Sequence, residues 1–199
     1  KTTLSIAQAL YEKHKVLTYP RTDARALPED YMPTVRDTLN ALGGLTDYAA
    51  FSSKILTQNW VRPDKRIFDN TKISDHFAII PTGQLQKTLN EVEQKIFDLV
   101  VRRFLAVFYP AAEYDVTVRI TTVGAHQFKT EGKVLAEPGW LEVAGKGRTQ
   151  REALTPVKPG EPAAVKDVVV STMQTKAPAR YTEATLLSAM ETAGKKLED

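Results

Sequence analysis

Residues 91–120 read EVEQKIFDLVVRRFLAVFYPAAEYDVTVRI, and a change of period inside that stretch decides the fold class. Up to Phe108 the apolar residues Val92, Ile96, Leu99, Val100 and Val107 recur at helical spacing. They predict the buried stripe of a helix over 91–108, with Asn90 as its cap. From Tyr114 the pattern changes. Tyr114, Val116, Val118 and Ile120 alternate with polar or charged residues, which predicts a half-buried strand. Helices before this stretch and strands after it make the chain α+β.

Working outward toward the N-terminus, Leu4, Ala7, Leu10 and Tyr11 fall on one helical face, with Thr2 or Thr3 able to cap it. A second helix is expected to start near Pro28, where proline suits the first turn. Leu27, Tyr31, Val35 and Leu39 carry it, and Gly43-Gly44 ends it. Toward the C-terminus, Val123-Gly124-Ala125 reads as a turn and residues 128–135 as the returning strand. Gly139, Gly145, Gly147, Pro156, Pro159 and Pro162 then punctuate the chain, and residues 165–172 read as one more strand of a small antiparallel sheet. Beyond Pro178, Thr182 is placed to cap a short helix whose Leu186, Leu187 and Met190 share a face and which stops near Gly194. A helix this short is marginal alone, so it is read as the start of a domain the chain does not complete. The segments are 1–110, 111–175 and 176–199.

Composition excludes several classes. The 199 residues are 42% hydrophobic and 26% charged, the balance of a globular protein with one large core or two smaller ones. With no cysteine there is neither a disulfide nor a thiolate zinc site. His14, His76 and His126 are too scattered to make a metal site on sequence alone. The longest apolar run, 97–112, is broken by Arg102 and Arg103, so no membrane partner is expected. Lys1-Thr2-Thr3 carries no signal-peptide core and no initiator methionine, and is read as the start of a chain cut from something longer. A net charge of +3 says little by itself about nucleic acid.

Three short stretches carry chemistry. In Leu17-Thr18-Tyr19-Pro20-Arg21-Thr22-Asp23 a tyrosine precedes a proline that stiffens the backbone and an arginine two residues on. A phenol of ordinary pKa near 10 is ionised in about one molecule in a thousand at pH 7, so attack on phosphate needs about 4 kcal/mol of help. The planar Arg21 fork suits a phosphate oxygen and could supply part of it. Taken bare, the same residues also describe a turn with a packed tyrosine. In Ser74-Asp75-His76-Phe77-Ala78-Ile79-Ile80-Pro81-Thr82, His76 either donates to phosphate or opens a core strand. In Pro178-Ala179-Arg180-Tyr181-Thr182-Glu183-Ala184, Arg180 beside the free amides of a helix start makes an anion site, or the helix is simply capped.

In this order the three stretches resemble the type IA DNA topoisomerase family. Tyr19-Pro20, Ile80-Pro81-Thr82 and Pro138-Gly139-Trp140 look more like its topoisomerase III branch, and the resemblance runs from about Leu4 to Gly194. It implies that Tyr19 is the nucleophile and Arg21 its transition-state partner. It makes His76 and Arg180 contacts to the DNA backbone, Thr182 a weaker one, and gives Asp23 a positioning role. Ala24 stands where the family often has serine and Ala179 where a second proline is frequent; neither removes a reacting group.

The resemblance further implies a winged-helix, CAP-like tyrosine domain at 1–110, a β-rich arch at 111–175 and the start of a further helical DNA-binding domain at 176–199. It implies a single-stranded DNA partner, no ATP, a monomer, and a cytoplasmic enzyme beside the nucleoid if the source is bacterial. Mg²⁺ in that family is held by an Asp-x-Asp-x-Glu pattern in a Toprim domain; no two aspartates here are two residues apart, so no metal site is expected in this chain. The family's Gly-Ile-Gly-Thr/Arg-Pro segment is also absent, and the fragment alone is expected to be inactive. A tyrosine recombinase would show His-x-x-Arg and a relaxase His-x-His, and neither occurs. The remaining alternative is a winged-helix DNA-binding module with no catalytic role.

Overall fold

The computed structural model describes residues 2–84, 88–145, 153–167 and 169–193. Helix α1 (Thr2–Glu12) leads to α2 (Met32–Leu42), α3 (Thr46–Thr57) and α4 (Glu91–Ala106). Strands β1 (Glu113–Val123) and β2 (His126–Glu137) follow, then α5 (Glu183–Ala193). The chain divides into two units, residues 1–157 and 158–199.

Local chemistry sets the helix ends. The turn before α2 is a 3-10 turn at Glu29–Tyr31, so the helix begins at Met32 rather than at Pro28, and Pro33 sits in its first turn where a missing N–H costs nothing. Gly43 closes it, as expected. Helix α3 was not anticipated as a separate element, because Ser52 interrupts the apolar spacing of its buried residues Tyr48 and Ile55. Thr2 and Thr3 lie inside α1 instead of capping it, and Leu4 is exposed while Leu10 is fully buried.

The strongest start is that of α4. Asn90 Oδ1 accepts from the backbone N–H of Val92 and Glu93 at 3.0 and 2.9 Å, and Glu93 Oε2 accepts from the Asn90 N–H at 2.9 Å. That reciprocal box satisfies donors the helix itself leaves unpaired. The buried face of α4 overlaps the expected stripe only in part: Ile96 and Val100 pack, partly buried, against the core. Phe97, Val101, Phe104 and Leu105 face the core, while Val92 and Leu99 are 52% and 65% exposed and Val107 also faces out. Both rows have helical spacing; the one with the aromatic rings and the larger buried area is inside. Leu10, Leu39, Leu42, Ile55, Val101 and Leu105 are wholly buried at the centre, each worth about 1.5–3 kcal/mol against exposure.

Strands β1 and β2 form an antiparallel hairpin in the register Val118↔Glu131, turning through Gly124 at φ 58°. A glycine-first, two-residue turn suits the twist of paired strands. The half-buried reading of β1 is corrected: Tyr114, Val116, Val118 and Ile120 are all exposed, because no other element covers that row among the described residues. The base of the hairpin is tight. Gly139 sits at φ 49°, and a Cβ there would meet the carbonyl oxygens of Pro110 and Ala111 at 2.5 Å. From there Trp140 N–H donates to Pro110 O, and buried Val143 is tied to α4 through its carbonyl and Arg102.

In the second unit the expected strand at 165–172 does not form among its described residues. Val165, Val169 and Val170 are exposed; an extended segment without a pairing edge or an apolar surface to cover it has nothing to hold it as a strand. Helix α5 is capped as predicted. Thr185 N–H donates to Thr182 Oγ1 at 3.2 Å, and Thr182 N–H donates to Thr185 Oγ1 at 2.8 Å. The expected stop near Gly194 lies outside the described residues.

Candidate active site around Tyr19

Lys15, at φ 58°, turns the chain out of α1 and into a ladder between two distant segments. Thr82 N–H donates to Val16 O at 2.9 Å and Thr18 N–H to Ile80 O at 3.0 Å, on either side of an antiparallel bridge between Leu17 and Pro81. Side chains then take over from backbone. The Thr18 hydroxyl accepts from Ile80 N–H at 2.9 Å and donates to Ala78 O at 3.2 Å. Four residues on, the Thr22 hydroxyl donates to His76 O at 2.8 Å and accepts from Ala24 N–H at 3.0 Å. Pro20, buried and without an N–H, leaves no donor stranded where the ladder opens. Tyr19 sits in that opening, half-buried.

The Tyr19 ring is held by two aromatic neighbours. Tyr11 meets it edge-on at 5.3 Å between centroids, and the His76 ring lies 4.4 Å away, tilted by 47°. Arg21 is exposed, and its Nη2 donates to Gln8 Oε1 at 3.2 Å. Gln8 and Tyr11 are three residues apart on α1, so one helix face touches both the tyrosine and the arginine. A hollow of about 230 Å³ is lined by Arg21, Thr22, Asp23, Ser74, Asp75 and His76. Asp23 accepts weakly from Ser74 at 3.5 Å.

Of the residues singled out from sequence, Tyr19, Arg21, Asp23 and His76 therefore come together in the first unit. Arg180 and Thr182 belong to the second. Arg180 is exposed, and the Thr182 hydroxyl is committed to capping α5. Gln8, Tyr11, Thr18 and Thr22 were missed as positioning residues. In the sequence Tyr11 belongs to an apolar helix face, and the signal for its part in the site is its i, i+3 spacing from Gln8. Among the described residues no three His, Asp or Glu side chains converge as a cation cage. No described helix is long and apolar enough to cross a membrane.

A model of the DNA topoisomerase family matches residues 1–194. The chain belongs to that family. It is a type IA, topoisomerase III-like member: over 209 residues it is 44% identical to DNA topoisomerase 3 of Bacillus cereus (strain ATCC 14579), a match covering 100% of this chain and 28% of the relative. DNA topoisomerase 3 of Bacillus subtilis (strain 168) is 40% identical over 200 residues, with 96% of this chain and 27% of the relative covered. That of Bacillus licheniformis is 39% identical over 199 residues, with the same coverage. The chain thus spans under a third of the length of these topoisomerases, and the Tyr19 site lies inside the matched span.

Proposed function

We propose that this chain supplies the tyrosine of a type IA topoisomerase that cuts one strand of DNA and rejoins it. The observation that carries this is the Tyr19 ring, held between Tyr11 and His76 with Arg21 two residues on. In the proposed step, Tyr19 Oη forms a bond to phosphorus and the bond to the 3′ oxygen breaks. The proton lost from the phenol is balanced by one gained on the freed 3′ hydroxyl, and the strand stays joined to Tyr19 through its 5′ phosphate. Another strand passes, and the 3′ hydroxyl attacks back. One ester is exchanged for another, so no ATP is consumed.

In this reading Arg21 offsets charge on the phosphate in flight, and Gln8 limits where its guanidinium can swing. His76 contacts the DNA backbone beside Tyr19, Asp23 helps position the site, and Arg180 and Thr182 add backbone contacts from the next domain. That domain starts at about 176, after a winged-helix, CAP-like tyrosine domain at 1–110 and an arch at 111–175. Among the described residues no cluster of carboxylates fits a Mg²⁺ site, and in this reading the cation is held by a Toprim domain of a longer protein. Loss of one such electrostatic contributor commonly costs roughly 100- to 1,000-fold in rate. This chain alone should therefore leave negatively supercoiled plasmid unrelaxed. The working enzyme is taken as a cytoplasmic, nucleoid-associated monomer acting on single-stranded DNA.

The test uses a protein of the relatives' full length. Tyr19→Phe should abolish the covalent adduct on end-labelled single-stranded DNA in a denaturing gel with Mg²⁺, leaving strand binding within a few-fold. A surviving 5′-linked adduct would assign the nucleophile elsewhere. A winged-helix binding module would be indifferent to the change.

A further inference from the structure

His14, just past the end of α1, is a buried titratable side chain that the proposed step leaves unused; only 7% of it is exposed. Its Nε2 stands 3.0 Å from Glu93 Oε1 in the first turn of α4. The Asn90 N–H, and after it His14, hold the Glu93 carboxyl below the usual carboxylate range. An ionised carboxylate only accepts, so Nε2 carries a proton and donates it. The other oxygen of the same carboxylate closes the Asn90 box. One carboxylate thus ties the end of α1 to the start of α4, across 79 residues of sequence. Ordinary packing explains why a buried histidine has a partner. It does not explain the place of this one. At Lys15 the chain leaves α1 for the Tyr19 ladder, and Thr82 fixes the far side of that joint. The Thr82 hydroxyl donates to Lys15 O at 2.6 Å and its N–H to Val16 O at 2.9 Å. Lys15 Nζ also lies 5.4 Å from the centroid of the Tyr11 ring. The joint is therefore held by His14 on one side and Thr82 on the other. Both grips that α1 has on the site, Tyr11 on Tyr19 and Gln8 on Arg21, lie within about two helical turns of it.

We infer that His14 is a positioning residue for the Tyr19 chemistry: by donating to Glu93 it fixes the end of α1, and so the place at which Tyr11 meets the Tyr19 ring. The inference rests on the proposed role of Tyr19 and deepens it. Without the donor, the Glu93 oxygen has lost its partner and turns toward water, which its 13% exposure allows. The end of α1 is then free to shift against α4. Close-packed elements transmit a displacement rather than absorb it, so the shift reaches Tyr11 and through it Tyr19. Because His14 works through Tyr11, its loss lowers the rate of attack and leaves strand affinity alone. For the same reason it has little left to lower once Tyr11 is gone.

The experiment follows single-turnover adduct formation on an end-labelled single strand, with Mg²⁺, in a protein of the relatives' full length, as strand concentration is raised. His14→Leu removes the donor and keeps the buried volume, so it stays folded where His14→Ala leaves a hole. It should lower the maximum rate about 2- to 10-fold, the span of one edge-on aromatic contact, with the half-saturating strand concentration held within about twofold. His14→Gln, whose amide N–H extends toward the same carboxylate, should recover most of that rate. Added to Tyr11→Ala, His14→Leu should cost less than about twofold more, since the two act on one contact. Ile55→Val loosens the core from α3 and should leave the rate unchanged. An unchanged maximum rate in His14→Leu, no recovery in His14→Gln, a full further loss on top of Tyr11→Ala, or an equal loss in Ile55→Val would each overturn the positioning role. The Tyr19→Phe adduct assay judges the nucleophile separately: a surviving adduct there sinks the Tyr19 reading, whereas the His14 series can fail with Tyr19 still required.

Discussion

The helical part of the first unit and the β1–β2 hairpin both carry regular apolar rows, yet they end differently. In the helices the rows meet: Leu10, Leu39, Ile55, Val101 and Leu105 reach zero exposure. In the hairpin, Val116, Val118 and Ile120 keep about half of theirs. Antiparallel pairing and a well-formed turn hold the hairpin's backbone although, among the described residues, no layer covers the Val116–Val118–Ile120 row. Periodicity therefore reports which element forms, and burial depends on whether a second surface arrives.

Removing volume from the closed region should have the largest effect. Leu39→Ala should cost about 2–5 kcal/mol in chemical denaturation, since a cavity in a fully packed helix pair relaxes only in part; a loss below about 1 kcal/mol would mean that this core is looser than its burial indicates. Within the same region, Tyr11→Ala removes one wall of the Tyr19 clamp. An edge-on aromatic pair is worth about 0.5–1.5 kcal/mol, so adduct yield in a full-length protein should fall about 2- to 10-fold. Tyr11→Phe should restore it, whereas no difference between the two variants would assign Tyr11 a purely structural part.

Asn90→Ala removes the cap of α4 and should cost about 1 kcal/mol. The same variant should speed amide exchange in the first turn of that helix, and unchanged exchange there would show that Glu93 alone sustains the start.

Asp69 gives a pH test of how the closed region is tied together. Its carboxylate accepts from the Thr71 hydroxyl at 2.6 Å and faces Lys72 at 3.0 Å, and these contacts hold its pKa down at about 2. Below the ordinary aspartate range the unfolded chain binds the proton more readily than the folded one. The stabilisation is therefore complete above about pH 4 and is lost as pH falls toward about 2. Denaturation of Asp69→Asn and the parent should converge over that window; a gap independent of pH would show that the charge is not what is used. The smallest effect belongs to the open hairpin, where Val118→Thr should stay within about 0.5 kcal/mol of the parent. A larger loss would reveal that the row is covered in solution.

Much of this molecule is legible within a few residues of chain. The Asn90–Glu93 box, the Gly43 stop, the glycine turn at Gly124 and the Thr182 cap all rest on hydrogen bonds or φ angles local to their own stretch, so residue type and spacing determine them. The motif around Tyr19 is equally local, and so was the family it pointed to. The inward face of α4 was not legible, because two rows of apolar residues with helical spacing compete on that helix and only the packing partners, α1 and α3, select between them. Nor was the absence of a strand among the described residues of 165–172, since a strand exists only when a neighbour pairs with it. The Tyr19 site itself is a tertiary product. Thr18 meets Ile80 across 62 residues, Thr22 meets His76 across 54, and Gln8 reaches Arg21 from a helix packed beside it. The sequence by itself determined which side chains are available for attack on phosphate; the closure of two distant segments decided which of them stand together, because a hydrogen bond between remote residues forms only after the chain between them has folded.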